Sequence, residues 1–150
     1  MFKSHIYTTI DSKNRISIPA KIRKSISPAA DNTLVLLNGV GTDDAGHPID
    51  VYPKDLWLQI EENLKSLKSY NKQSQLIIRT LLFSAEEEEM DSQFRIVLPQ
   101  HLIKHAKIEK DILILGALRK FEIWNPEIYE KYRSSSDMPL ENLAEAVIDF

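Results

Sequence analysis

The chain has 150 residues, of which 43% are hydrophobic and 27% charged, and its net charge is −3. This composition is typical of a soluble globular protein with one ordinary domain or two small ones. The lack of cysteine excludes disulfides, cysteine–zinc sites and a thiol nucleophile. The chain shows no signal peptide and no apolar run near the ~18 residues of a membrane helix, so we expect a cytoplasmic protein without membrane contact.

The first half of the chain alternates short β-strands with short helices. The pattern predicts a strand at about His5–Ile10, a polar turn, and a second strand with Ile16 and Ile18 on one face. A short helix, two further strands and a closing helix after Pro53 follow. The apolar stripe of that closing helix is Leu56, Ile60, Leu64 and Leu67, with Trp57 beside it.

The middle of the chain carries an unusually apolar helix, predicted over Gln73–Phe83. Its apolar residues cover most of the circumference, which is typical of a buried helix. Two alternatives remain open for what covers it. Part of it packs against a neighbouring subunit, or the two halves of one chain enclose it.

The second half of the chain repeats the first. Asp11–Pro19 recurs as Asp91–Pro99, with the aspartate, serine, arginine, isoleucine and proline at matching positions. Downstream, Leu34–Leu37 parallels Ile112–Leu115, and Tyr52 before one helix parallels Trp124 before another. We therefore predict an α+β fold made of two similar units. The predicted divisions are 1–70 (first unit), 71–84 (linker helix), 85–136 (second unit) and 137–150 (a helical tail).

The charge is concentrated in opposite regions of the chain. Five basic residues against one acid lie between Asp11 and Lys24, whereas Glu86–Glu89 is the densest acidic patch. A local positive cluster can attract a polyanion even when the whole chain is acidic. The five basic residues are Lys13, Arg15, Lys21, Arg23 and Lys24.

The motif Asp-x-x-x-Arg-apolar-x-apolar-Pro, present twice, resembles that of the MraZ family, and the resemblance covers nearly the whole chain. It implies a tandem of AbrB-like swapped-hairpin units that form a pseudo-twofold barrel. It also implies a bacterial, nucleoid-associated transcriptional repressor that forms a ring-shaped homo-oligomer. Such a protein binds short direct repeats in double-stranded promoter DNA of the division and cell-wall operon that contains its own gene.

The residue chemistry of the repeated motif suits DNA. Asp11 can accept hydrogen bonds within its own turn and so orient Arg15, whose planar fork matches guanine O6/N7 or a phosphate. Lys13 at the turn apex can neutralise phosphates, and so can the three cations of the following helix, Lys21, Arg23 and Lys24. Alternatively, Asp11 and Arg15 form only an internal ion pair, and the helix cations are a plain solvated face. Asp91 and Arg95 are the equivalents in the second copy.

Both copies depart from the family pattern, which has glycine before the arginine. Asn14 tolerates the positive φ expected there, whereas Phe94 would be strained by it. Either the second turn takes another shape or strain is tolerated. Because Gln93 also replaces a lysine, we predict that the first copy, including Asn14, dominates DNA binding and that Arg95 contributes less.

Two other function classes are alternatives to a DNA-binding protein. Glu86–Glu89 with His101 and His105 could suggest an enzyme or metal site, but no catalytic or cofactor motif is present, so we expect no catalytic residue, metal, cofactor or small-molecule substrate. An AbrB-like interaction module or antitoxin-like scaffold without specific DNA binding is the closer alternative. The basic cluster beside a repeated turn favours DNA.

Overall fold

The computed structural model describes residues 1–40, 42, 46–67, 70–135, 142 and 147. The strands are β1 (His5–Thr9), β2 (Arg15–Ser17), β3 (Thr33–Asn38), β4 (Ile49–Pro53), β5 (Glu86–Glu89), β6 (Arg95–Val97), β7 (Asp111–Ala117) and β8 (Lys120–Trp124). The α-helices are α1 (Ala20–Arg23), α2 (Lys54–Lys65), α3 (Lys72–Leu82), α4 (Gln100–His105) and α5 (Pro126–Ser134). Most of the tail predicted over 137–150 lies outside the described residues. No helix in the described ranges is long and apolar enough to cross a bilayer.

The two halves of the chain are interleaved in their sheets. Six antiparallel strands follow the order β1-β7-β8-β4-β3-β5, and β2 pairs with β6 in a separate two-stranded ribbon. Strand β1 thus pairs with a strand of the second half, and β5 pairs with a strand of the first. The predicted α+β fold with two swapped units is confirmed.

The expected pseudo-twofold barrel does not close. Strands β1 and β5 are the two edges of the six-stranded sheet, which stays open within the described part of the chain. The ribbon is a separate sheet. Each of its two strands has three residues and pairs only with the other.

One large apolar cluster lies between the six-stranded sheet and the ribbon. Ile16 and Ile96 of the ribbon contribute to it together with one face of β3, β4, β7 and β8. The other face of the same sheet is covered by helices, so Leu34–Leu37 are buried without alternation. Strands that are buried on both faces have continuous apolar sequences. This explains why β3 and β7 carry the matching apolar runs Leu34–Leu37 and Ile112–Leu115.

The closing helices α2 and α5 cover that second face. In α2, Trp57 is buried against Val35 and Leu37, and Tyr52 and Ile60 pack around them. The four residues of the predicted stripe, Leu56, Ile60, Leu64 and Leu67, are all half-buried. Trp124 is buried and packs against Tyr129 and Tyr132 of α5.

The linker helix α3 has no buried residue in the single chain, so the alternative that the two halves of one chain enclose it is wrong. The other alternative, that part of α3 packs against a neighbouring subunit, stays a prediction. Helix α3 lies on the outer face of the sheet, where Leu81 packs against the cluster of Val35, Leu37 and Trp57. Leu76 of α3 and Phe83 just after the helix are exposed to solvent.

A buried ionic group lies on the same outer face. Lys120 Nζ is 2.9 Å from Asp50 Oδ1 and 3.0 Å from Glu122 Oε2, and Asp50 is only 1% exposed. Burial raises the pKa of Asp50 to about 6, and the nearby Glu122 adds to the shift, although Lys120 opposes both. Burial opposes the charged form of Lys120, but the two carboxylates outweigh it and raise the pKa of Lys120.

Candidate nucleic-acid interface

The turn between β1 and β2 is organised around the carboxylate of Asp11. Its Oδ1 accepts the backbone N–H groups of Lys13 at 2.9 Å and Arg15 at 2.8 Å, and its Oδ2 accepts Arg15 Nε at 2.8 Å. The backbone N–H of Arg15 is the main reason that the pKa of Asp11 is lowered. Its guanidinium and the N–H of Lys13 add to the shift, against the effect of burial.

The turn between β5 and β6 has the same geometry. Asp91 Oδ1 accepts the N–H groups of Gln93 at 2.8 Å and Arg95 at 2.9 Å, and Oδ2 accepts Arg95 Nε at 2.9 Å. The pKa of Asp91 is lowered chiefly by the backbone N–H of Arg95, as in the first turn. The repeated sequence therefore builds the same side-chain clamp twice.

The residue before each arginine adopts the left-handed region. Asn14 and Phe94 both have a φ of 59°, so the second turn keeps the shape of the first and the strain at Phe94 is tolerated. The guanidinium carbon of Arg23 lies 3.8 Å from the centre of the Phe94 ring. A cation–π contact of this kind stabilises the ring where it is and offsets part of the strain.

The ribbon places both arginines on one surface. Arg15 pairs with Val97 and Ser17 pairs with Arg95, and directly opposed residues share a face. Ile16 and Ile96 point the other way into the core. The exposed face therefore carries two arginines on a diagonal, separated along the strand by about 7 Å.

Each arginine is held by its Nε and keeps its terminal nitrogens for other partners. Within the described residues, the Nη groups of Arg15 and Arg95 form no hydrogen bond or ion pair. Their side chains are 26% and 28% exposed. An arginine anchored through Nε presents two N–H donors in one plane, which is the geometry that a guanine edge or a phosphate accepts.

The cations of α1 do not lie beside the first turn, which precedes them in the sequence. Arg23 contacts Phe94 in the second turn and donates from Nε to the carbonyl of Ile18 at 3.0 Å. Lys21 Nζ is 3.4 Å from Ser4 Oγ. The first turn instead meets α4, where Asn14 Nδ2 donates to Gln100 Oε1 at 3.3 Å. The positive segment is thus divided between both ends of the ribbon.

One further basic residue, Lys3, joins the cations that the sequence predicts. Lys3 lies with Lys21 and Lys24 around a groove of about 260 Å³ formed by the first four residues and α1. No periodicity could place it there, because the contact depends on the path of the N-terminal segment, which pairs Phe2 with Leu118.

The two histidines of the possible metal or acid–base site, His101 and His105, both lie on α4 and have different partners. His101 Nε2 is 3.1 Å from the carbonyl of Ser84, and the His105 ring is 5.2 Å from that of His47. Burial lowers the pKa of His105, and the charge of His47 adds to the effect. Among the residues described, no group of three or more histidine or acidic side chains is arranged to hold a metal ion.

Comparison with known proteins agrees with the repeated turn. A family model described as "MraZ protein, putative antitoxin-like" matches residues 1–80 and again residues 81–150. A protein of Caldanaerobacter subterraneus named "Transcriptional regulator MraZ" is 40% identical over 142 residues, which cover 95% of this chain and 93% of the relative. A protein of the same name from Heliobacterium modesticaldum is 36% identical over 150 residues, covering 100% of this chain and 99% of its own.

Proposed function

Since the chain belongs to the MraZ family, whose relatives bear the name of transcriptional regulator, we propose that it regulates transcription by binding promoter DNA through the β2–β6 ribbon. The observation that carries the proposal is the pair of clamped arginines, Arg15 and Arg95, on the exposed face of that ribbon.

The dimensions and chemistry of the ribbon support entry into the major groove. That groove admits a two-stranded β-ribbon, and an arginine that donates two hydrogen bonds to guanine discriminates by about 1–3 kcal/mol. The separation of about 7 Å along the strands between the two arginine positions matches roughly two base-pair steps. Lys13, Lys21, Arg23 and Lys24 neutralise phosphates and carry no sequence information.

Assembly supplies the affinity that one copy lacks. A single ribbon contacts few phosphates, which gives weak and strongly salt-dependent binding. A ring-shaped homo-oligomer that presents its ribbons along one edge raises avidity by roughly 10² to 10⁴ and reads short direct repeats in tandem. By occupying the promoter of the division and cell-wall operon, which includes its own gene, the protein represses transcription of that operon. It acts in the bacterial nucleoid and needs neither catalysis nor a cofactor.

The test is fluorescence anisotropy on labelled DNA from upstream of the gene, with a scrambled duplex as control and a salt series for both. We expect binding that prefers the promoter and weakens linearly in log–log plots against salt. Arg15→Ala removes the guanidinium that Asp11 holds in place, and it should weaken promoter binding at least tenfold. Equal affinity for both duplexes, unchanged by the substitution, would refute the proposal.

Charge reversal in each turn measures how much each repeat contributes to the affinity for DNA. We expect Arg15→Glu to weaken binding more than Arg95→Glu, because Lys13 adds a cation to the first turn and Gln93 replaces it in the second. The two arginines have matching contacts and exposure, so each variant is the control of the other. Equal losses of affinity would contradict the dominance of the first repeat.

An interaction module without specific DNA binding is the second candidate. It is favoured by the description "putative antitoxin-like" and by the exposed acidic strand β5. If this alternative holds, replacing the acidic strand residue Glu89 by lysine abolishes capture of a basic protein partner, while Arg15→Ala leaves capture unchanged.

A further inference from the structure

The two turns of the ribbon contact the helix of the opposite repeat through different chemistry. At the first turn, Asn14 donates a hydrogen bond to Gln100 of α4. At the second turn, the ring of Phe94 lies against the guanidinium of Arg23, which belongs to α1 of the first repeat. The position equivalent to Arg23 in the second repeat is Ile103, which is buried and carries no charge. The second turn therefore has a cation–π contact that the first turn lacks.

Three contacts join Arg23, Ile18 and Phe94 in a closed arrangement. Arg23 Nε donates to the carbonyl of Ile18 at 3.0 Å, and the guanidinium carbon of Arg23 lies 3.8 Å from the centre of the Phe94 ring. The backbone N–H of Ile18 in turn donates to the carbonyl of Phe94 at 2.8 Å. A guanidinium that is already held at one nitrogen and over one ring loses little further freedom when it binds a partner. Arg23 is therefore preorganised for binding.

The terminal nitrogens of Arg23 are available to a partner. In the part of the chain that the structure describes, they form no hydrogen bond or ion pair. Asp31 lines the same cleft of about 410 Å³ beside Arg23 and Phe94, but among the described residues it forms no ion pair with Arg23. Phe94 directly precedes Arg95 and is 39% exposed. The contact between Arg23 and Phe94 therefore lies at the protein surface, next to the clamped arginine of the second turn.

The second turn lacks a positive charge that the first turn has. Lys13 is at the apex of the first turn, whereas Gln93 occupies the equivalent position in the second. We infer that Phe94 positions Arg23 to bind a phosphate of the DNA backbone at the second turn, where Arg23 supplies the charge missing at Gln93. The inference rests on the proposed function and adds Phe94 to it as a positioning residue. Each turn would then have one phosphate-binding cation, and both cations come from the first repeat.

The competing interpretation is that the contact between Arg23 and Phe94 only stabilises the second turn. A contact with a purely structural role changes the free energy of unfolding, but it does not change how many counterions leave the DNA on binding. Each phosphate contact that is lost, by contrast, lowers the slope of log affinity against log salt concentration by about 0.9. The salt slope therefore separates the two interpretations.

Fluorescence anisotropy across a salt series measures this slope for the promoter duplex. Arg23→Gln should weaken binding and lower the slope by about one for each ribbon that contacts the DNA. Lys65→Gln is the control, because it also removes one positive charge but lies on α2, on the other face of the sheet, and it should leave the slope unchanged. An unchanged slope in Arg23→Gln overturns the inference.

The same titrations distinguish failure of the inference from failure of the proposed function. If the unmodified protein binds the promoter no better than the scrambled duplex, the proposed function is refuted and the inference falls with it. If the promoter is preferred and the slope of Arg23→Gln is unchanged, the inference alone is refuted.

Substitutions of Phe94 test its positioning role. Phe94→Leu keeps an apolar side chain but removes the ring, so it should weaken promoter binding about two- to fivefold, the usual value of an exposed cation–π contact. Phe94→Tyr keeps the ring and is the matched control, which should bind like the unmodified protein. Adding Arg23→Gln should cost less affinity in the Phe94→Leu chain than in the unmodified one. Equal costs in the two chains, each shown by urea unfolding to be folded, would mean that Phe94 does not position Arg23.

Neutralising single phosphates of the promoter locates the contact on the DNA. A methylphosphonate group replaces one charged phosphate at a time along the duplex. We expect a position at which this replacement weakens binding of the unmodified protein and of Lys13→Gln but does not affect Arg23→Gln. Lys13→Gln should lose its response at a different position, because Lys13 lies at the first turn. If every position that affects the unmodified protein also affects Arg23→Gln, the inference is overturned.

Discussion

At the scale of single residues, the repeated turn is a local structure that its own nine-residue sequence specifies. One aspartate accepts two backbone N–H groups and one guanidinium N–H within four positions, so no distant element is needed to orient the arginine. This is why the two turns agree in every distance to 0.1 Å despite their different central residues. The exception is the position before the arginine, where backbone strain and tertiary contacts compete.

Exchanging the central residues of the turns tests that competition. Asn14→Phe should lower the free energy of unfolding by about 1–2 kcal/mol, because a bulky residue enters the left-handed region without a stacking arginine. Phe94→Asn should change it by less than about 1 kcal/mol, since relief of strain offsets the lost contact with Arg23. Urea denaturation measures both. A loss larger for Phe94→Asn than for Asn14→Phe would show that the stack outweighs the strain.

The buried Asp50 is the residue with the clearest pH dependence. Its pKa is about 6 in the folded chain, above the ordinary aspartate value, so the folded state binds a proton more readily than the unfolded state. The stability that this provides is complete below pH 4 and is lost as the pH rises through 6. The shift of roughly two units corresponds to about 3 kcal/mol.

Asp50→Asn should remove that dependence. Subtracting the unfolding free energies of the variant from those of the unmodified protein at pH 4, 5, 6 and 7 should give a difference that falls by about 3 kcal/mol across the range. Gln59→Ala, which changes an exposed residue of α2 and removes no ionisable group, is the control and should show a flat difference. A difference that rises with pH would mean that Lys120 outweighs the effect of burial on Asp50.

At the scale of elements, the boundaries follow from capping chemistry that is readable in the sequence. Asn71 Oδ1 accepts the N–H groups of Gln73 and Ser74 at the start of α3, and Asn125 Oδ1 does the same for Glu127 and Ile128 at α5. Asn125 also donates from Nδ2 to the carbonyl of Lys107 at 2.8 Å, a contact between elements. The predicted helix over 73–83 accordingly differs from the observed one by only one residue at each end.

Removing each cap measures the difference between a local and a tertiary contact. Asn71→Ala should cost about 1 kcal/mol of unfolding free energy, the usual value for an N-cap. Asn125→Ala should cost about 1 kcal/mol more, because it also leaves the carbonyl of Lys107 without its donor. Gln59→Ala, exposed within α2, serves as control in thermal or urea unfolding. Equal losses at the two caps would mean that the bond to Lys107 contributes nothing.

At the scale of the whole molecule, the two repeats form a single folding unit. Strand β1 needs β7, β5 needs β3, and the ribbon takes one strand from each half. The main apolar cluster draws Ile16 and Ile18 from the first half and Ile96 and Leu98 from the second. Neither half can bury its apolar face without the other.

Each half on its own should therefore fail to fold, whereas the two halves should fold when they are mixed. Fragments 1–84 and 85–150, prepared individually, should lack cooperative unfolding by circular dichroism. An equimolar mixture should recover the β-sheet signal and one cooperative transition, as expected for a shared core. Cooperative unfolding of fragment 1–84 alone would mean that the first half is an independent domain.

The sequence by itself determined the repeat, the α+β class, the strands and helices, the Asp–Arg pair in each turn and the family, because these depend on spacing and short-range hydrogen bonds. Only the tertiary structure decided where the cations lie. The swapped ribbon carries Arg23 away from the turn nearest in sequence and against Phe94 of the other repeat.

The tertiary structure also decided which face of α3 is covered. The apolar residues of a helix indicate only that its surface must be buried away from water. This requirement is the same whether the covering surface belongs to the same chain or to a second copy. The pattern therefore could not distinguish the packed side, at Leu81, from Leu76 and Phe83, which remain exposed on the single chain. Periodicity specifies what must be buried, whereas the path of the chain specifies what is near enough to bury it.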